Sequence, residues 1–176
     1  MCFEAIGVAG AQYLASAMQT GSTLQTLNLS SNEIGEEGAQ HLGSALQINK
    51  TLTNLFLCWN YISDSGLLHL AGALLTNTTL VALDLEHNYI NGEGIMHLGN
   101  ALQDNKVLTN LNLSDNHIGD DGIQHLAIAL LTNIALEILN LSSIHLTTEG
   151  ARYLSDVLQN TQDVDRWRLR LLRSGY

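Results

Sequence analysis

An α/β solenoid, curved into a horseshoe with a parallel sheet on its concave side and a convex layer of helices, follows from three properties of this sequence. The first is a repeat of 28 residues. From Leu24, Leu52, Leu80 and Leu108 the chain reads Leu-x-x-Leu-x-Leu-x-x-Asn-x-Ile, and a fifth copy from Leu136 keeps the leucines but has Ile144 and Leu146 at the last two positions. The second is a change of apolar period inside every copy, from the alternation of a half-buried strand to the three-and-four spacing of an amphipathic helix. The third is that one strand and one helix cannot bury their apolar sides alone, so neighbouring copies must stack.

Taken in order, residues 1–23 form a helical half-unit in which Ile6, Gly10, Leu14, Ala17 and Met18 hold the helix columns. Five full units span 24–163. Residues 164–176 supply a last strand and tail, giving six strands and six helices in a single domain. Within the units, Leu27, Leu55, Leu83, Leu111, Leu139 and Leu29, Leu57, Leu85, Leu113, Leu141 are the inward strand positions. Asn32, Asn60, Asn88 and Asn116 follow each strand, where a side-chain amide can satisfy backbone groups of the turn leaving the sheet. Ile34, Ile62, Ile90, Ile118 and Leu146 then return to the core.

The helices are marked by Gly38, Gly66, Gly94, Gly122 and Gly150 and by a stripe running from Leu42, Leu70, Leu98, Leu126 and Leu154. His41, His69, His97 and His125 sit one position before those leucines, on the flank where adjacent helices meet, and are assigned to helix-to-helix packing. Parallel strands lie roughly 4.8 Å apart and packed helices roughly 8–10 Å apart. The helical side is therefore the longer one, and the sheet curves inward.

These motifs, LQTLNLSSNEIGEEGAQHLGSAL and LTNLNLSDNHIGDDGIQHLAIAL among them, resemble the leucine-rich repeat, and specifically its ribonuclease-inhibitor-like class. The resemblance covers nearly the whole chain and extends to the repeat domains of nucleotide-binding immune receptors. It implies a non-enzymatic protein–protein interaction module that grips a partner protein on its concave face. Members also include C-terminal sensor domains of larger multidomain proteins and regulators of small GTPases, so these stay open as alternatives.

Composition excludes several classes. The net charge is −10, and before residue 160 the only basic side chains are Lys50, Lys106 and Arg152, which argues against nucleic acid as a ligand. Glu36, Glu37, Asp64, Glu93, Asp120, Asp121 and Glu149 fall at or just before helix starts, where they cap N–H groups and complement the helix dipole. No long apolar run or signal-like start is present, so no membrane and a cytoplasmic location are expected. Neither a nucleophile elbow nor a phosphate-binding loop occurs, and no catalytic residue or cofactor is assigned. Cys58, Asp84, Glu86 and His87 match no recurring metal-ligand spacing.

Candidate contact residues are the variable positions of the sheet and of the turn beyond it. Large and charged groups concentrate in the second and third units, at Phe56, Trp59, Tyr61, Asp84, Glu86, His87 and Tyr89, with His117 continuing the series. None is needed by the core. Exposed aromatic side chains give much contact area at low entropic cost, and the two carboxylates favour a partner's Lys or Arg. The competing reading is that Trp59 and Tyr61 only cover the sheet's end by stacking on His87 and Tyr89. Two terminal features add expectations: the chain opens inside a unit, which suggests either a piece of a longer protein or self-association through the uncapped first helix, and Arg166, Arg168 and Arg170 take free positions on the last strand as edge protection or an acidic-partner site.

Overall fold

Each repeat contributes one three-residue strand and one helix, and the computed structural model describes residues 5–160 together with the backbone of 168–170. In chain order the elements are α1 (Gly7–Gln19), β1 (Thr26–Asn28), α2 (Gly35–Ile48), β2 (Asn54–Phe56), α3 (Ser63–Leu74), β3 (Ala82–Asp84), α4 (Gly92–Asp104), β4 (Asn110–Asn112), α5 (Gly119–Thr132), β5 (Ile138–Asn140), α6 (Thr148–Asn160) and β6 (Arg168–Arg170). The strands form one parallel sheet in sequence order, and from β1 to β5 each residue pairs with the one 28 positions on, as Leu27 does with Leu55 and Leu55 with Leu83. The sheet and the helices enclose one continuous core in which Leu55, Leu57, Leu70 and Ile62 are fully buried.

The last strand departs from the repeat. Leu169 pairs with Leu139, a step of 30 residues, whereas the repeat places Trp167 opposite Leu139 and Leu169 opposite Leu141. The shift of two keeps the alternation, so Arg168 and Arg170 occupy the free columns beside Ile138 and Asn140. In the four regular units one residue sets the turn from helix to next strand. Asn49, Asn77, Asn105 and Asn133 are buried where each helix turns back to the next strand. Asn77 is typical: its Nδ2 donates to the Leu46 carbonyl at 2.7 Å, and its Oδ1 accepts from the N–H groups of Thr79 and Leu80. At the corresponding sequence position the chain has Thr161 in place of Asn, and residues 161–167 lie outside the described residues. Met1, Cys2, Phe3, Val164, Arg166, Trp167 and Leu172 lie outside the described residues.

The second asparagine column does what its position suggests. Asn60, Asn88 and Asn116 have no exposure. The Asn60 Oδ1 accepts from the backbone of Asn32 at 3.0 Å and Ile34 at 3.2 Å, one unit back, while its Nδ2 donates to the carbonyls of Leu29, Leu57 and Cys58. Asn88 and Asn116 repeat the arrangement, so each turn is tied to the one before. Ile144 ends the column with a buried apolar side chain.

The starts of α4 and α6 are capped by an acid of the preceding unit. Asp64, in the first turn of α3, accepts from the backbone N–H of Asn91 at 2.8 Å and of Gly94 at 3.0 Å, which belong to the start of α4. Asp120 in α5 does the same for Thr147 and Gly150 ahead of and within α6, and these bonds, led by the Thr147 hydroxyl, hold its carboxyl below the usual carboxylate range. Glu36 accepts from the Ser63 hydroxyl at 2.6 Å. Of the acids expected to cap N–H groups at helix starts, Asp64 and Asp120 do so on the helix of the next unit.

Small residues set how closely the helices approach. A Cβ on Gly43 would stand 2.7 Å from the His69 carbonyl oxygen, and one on Gly99 3.2 Å from that of His125. The histidines His41, His69, His97 and His125 are half-buried, which fits the flank position assigned to them. The equivalents of Gly43 and Gly99 in the intervening units are Ala71 and Ala127, so tight and looser helix contacts alternate.

Candidate functional site

The variable residues divide into two adjoining groups once placed on the fold. Phe56 and Asp84 end β2 and β3 and are direct partners in the sheet. The parallel ladder runs on past the named strands: the N–H of Trp59 donates to the Glu86 carbonyl at 3.0 Å, and that of His87 to Ser114 at 3.0 Å. Glu86 is therefore still on the inner face, while Trp59, Tyr61, His87, Tyr89 and His117 lie in the turn beyond it.

That turn has an unusual backbone. Trp59, Tyr61, His87 and Tyr89 all have positive φ, between 51° and 60°, as do Ser31 and Glu33 in the first unit. Non-glycine residues pay about 1–2 kcal/mol to enter this region. Here the buried asparagine between each pair, bonded on both sides, holds them in it. The result is a ladder of rings along the rim of the sheet. Trp59 stacks on His87 with centroids 3.4 Å apart and planes 13° from parallel, and Tyr61 stacks on Tyr89 at 5.7 Å and 8°. His87 meets Tyr89 edge-on at 5.7 Å, and Tyr89 reaches His117 at 6.1 Å. His117 continues to His145, stacked 4.9 Å away with their Nδ1 atoms 3.2 Å apart.

Stacking does not bury the rings. Trp59 is 51% exposed, Tyr61 56% and Tyr89 45%. They cover one another's faces and leave their edges, and one face of Trp59, to solvent.

The carboxylates sit directly beside them. Asn112 on β4 donates from the same Nδ2 to Asp84 Oδ1 and Glu86 Oε2, both at 3.0 Å, and the Glu86 N–H donates to Asp84 Oδ1 at 3.0 Å. One neutral amide thus holds two acids together on the inner face. Burial raises the Asp84 carboxyl above the usual carboxylate range; the Glu86 N–H opposes this, the Glu86 charge adds to it, and the Asn112 amide opposes it again. A group raised in this way favours the folded state when protonated, and that advantage is lost as pH rises through its folded value. At neutral pH the Asp84 charge is accordingly held at a cost to stability. Asp84→Asn, which keeps one acceptor oxygen for the Glu86 N–H and removes the charge, is expected to raise the thermal transition by about 1–3 °C at pH 7, with the gain shrinking as pH falls toward 4. An unchanged or lower transition in calorimetry at pH 7 would contradict this.

Asn112 and His145 were missed as site residues by the sequence, although both stand in the variable columns. An Asn among asparagines carries no signal, and only the cross-unit distances reveal which acids it joins. Every polar residue of the second column accepts from the N–H two residues on: Asn28 from Ser30 at 3.0 Å, Asp84 from Glu86 at 3.0 Å, Asn112 from Ser114 at 3.1 Å and Asn140 from Ser142 at 3.2 Å. Phe56 has no group with which to do so. Cys58 is a free, partly buried thiol, and among the described residues no three His, Cys, Asp or Glu side chains are grouped to hold a metal ion.

Comparison with known proteins agrees with this architecture. A family model described as leucine rich repeat matches residues 22–43, 76–99 and 104–127. Curated proteins yield no match. Among solved structures, leiomodin-1 actin-binding site 2 is similar with a TM-score of 0.71 and 23% identity, over 90% of this chain and 91% of that one. The C-terminal domain of tropomodulin from Caenorhabditis elegans is similar with a TM-score of 0.71 and 18% identity, over 89% of this chain and 95% of that one. At these identities the likeness is one of fold, and the 28-residue units with full helices are in keeping with the ribonuclease-inhibitor-like class. No helix among the described residues is long and apolar enough to cross a membrane.

Proposed function

We propose that this chain, a leucine-rich-repeat solenoid, is a non-enzymatic protein-binding module whose partner docks on the strip running from Phe56 to His117. The observation that carries the reading is the aromatic ladder itself: Trp59, Tyr61 and Tyr89 remain about half exposed, contribute nothing to the core, and are held rigid by stacking and by a constrained backbone. Rigid aromatic side chains lose little entropy on binding, and such groups dominate the energetics of protein interfaces. Asp84 and Glu86 give the surface its charge preference, for a partner's Lys or Arg. The open face and the mutual hydrogen bonding of its acids fit binding better than catalysis, which needs groups shielded from water. The likeness to an actin-binding domain supports a protein as the partner class and leaves its identity to experiment.

The test is capture from native extract by the intact chain beside a Trp59→Ala, Tyr61→Ala, Glu86→Ala variant, followed by affinity measurement on what is captured. A partner retained by the intact chain is expected to lose about 100-fold or more in affinity for the variant, with a thermal transition within about 3 °C of the parent. Equal affinity for both chains would overturn the reading. A large drop in the transition would assign the rings to the scaffold.

A further inference from the structure

We propose that the uncovered face of Trp59 is a binding subsite for an arginine side chain, completed by Ser31 and Glu33 of the preceding unit; this deepens the docking surface described above and rests on that reading. Among the described residues the one ring stacked on Trp59 is His87, 3.4 Å away and nearly parallel, and Trp59 stays half exposed. The ring plane therefore lies across the axis of the ladder, and its other face looks toward the first unit. There the equivalent position is Ser31, which has the same left-handed backbone, φ 60° in both, and is joined to the second unit by its N–H donating to the Cys58 carbonyl at 2.8 Å. Residues 31, 59 and 87 are thus successive rungs, roughly 4.8 Å apart.

The rung at 31 has a hydroxymethyl group where its neighbours have rings. It leaves a slot one planar group thick, open to solvent, against the indole face. The next column repeats the asymmetry: Tyr61 is stacked by Tyr89 on one side, and on the other its equivalent is Glu33, an exposed carboxylate. A ring face attracts cations through its quadrupole, most strongly for indole, and a carboxylate one column away adds a full charge. A guanidinium satisfies both demands. It is flat enough to continue the stack of Trp59 and His87, is weakly hydrated, and directs N–H donors outward in its plane toward a carboxylate. An ammonium group is compact, strongly hydrated and without a plane to stack.

The test uses the whole chain and three blocked tripeptides, Gly-Arg-Gly, Gly-Lys-Gly and Gly-citrulline-Gly, read by the indole N–H resonance of Trp59, which is assigned by its loss in Trp59→Phe. The arginine peptide is expected to shift this resonance saturably, and the citrulline peptide, equal in shape but uncharged, to bind about tenfold or more weaker. Glu33→Gln weakens the arginine peptide severalfold. Ser31→Trp fills the slot with a side chain that this backbone accepts at Trp59, and abolishes the response while Trp59 remains in place. Equal shifts with citrulline or lysine, no saturable shift, or full binding by Ser31→Trp would each overturn the proposal. The two readings fail separately: a captured partner that is lost on Trp59→Ala but indifferent to Ser31→Trp removes the arginine subsite alone, whereas a slot that binds the arginine peptide in a chain whose partners ignore Trp59→Ala removes the docking surface alone.

Discussion

Asn60→Ala is expected to lower the thermal transition by about 8–15 °C, the counterpart of about 3–5 kcal/mol lost from a domain of this size. The side chain is fully buried and makes five hydrogen bonds: two accepted from the N–H groups of Asn32 and Ile34, three donated to the carbonyls of Leu29, Leu57 and Cys58. Removing it leaves polar backbone groups of two units without that partner, and an unpaired buried group costs about 1–3 kcal/mol. Asn60→Leu should do no better, because it restores volume without bonds. Asn32→Ala supplies the contrast. Asn32 is half-buried at the end of the column, accepts from Ile6 at 3.4 Å and donates to Ser30 at 2.9 Å, so its loss should move the transition by a few degrees at most. Equal effects of the two substitutions would show that the column is not a ladder of mutually supporting turns.

Gly43→Val is expected to destabilise by about 2–3 kcal/mol in denaturant titration. The clash is with main chain: the Cβ would meet the His69 carbonyl oxygen at 2.7 Å and carbon at 3.0 Å, and a carbonyl inside α3 cannot move aside without parting the two helices. Gly72 on α3 is the control, since a Cβ there meets nothing within 4 Å. Gly72→Ala should stabilise by about 0.5–1 kcal/mol, the helix-propensity gain with no steric penalty. If Gly43→Val proved neutral, the close approach of α2 and α3 would not be set at that position.

Much of the fold was legible because its causes repeat. Leu27, Leu55, Leu83, Leu111 and Leu139 recur at a constant interval, and so do the asparagines after them, so any feature demanded by stacking was printed in the sequence at the same place in each unit. The residues least bound to the repeat, Trp59, Tyr61, Asp84 and Tyr89, stood out by contrast as candidates for contact. The β6 register was not legible: a strict period of 28 sets Leu169 opposite Leu141, whereas it pairs with Leu139.

Which columns are buried, which are free, and that the units stack in a parallel sheet can be read from spacing alone, because apolar side chains at a fixed interval must be buried together. Which free residues act together depends on the folded geometry. Asp64 reaches the start of α4, Asn112 joins Asp84 to Glu86, and Trp59 lies flat on His87. Each is a contact across units, and for Trp59 and His87 it depends on the left-handed backbone at the strand ends. Periodicity records the distance between equivalent residues along the chain, whereas these contacts are set by side-chain direction and reach in space.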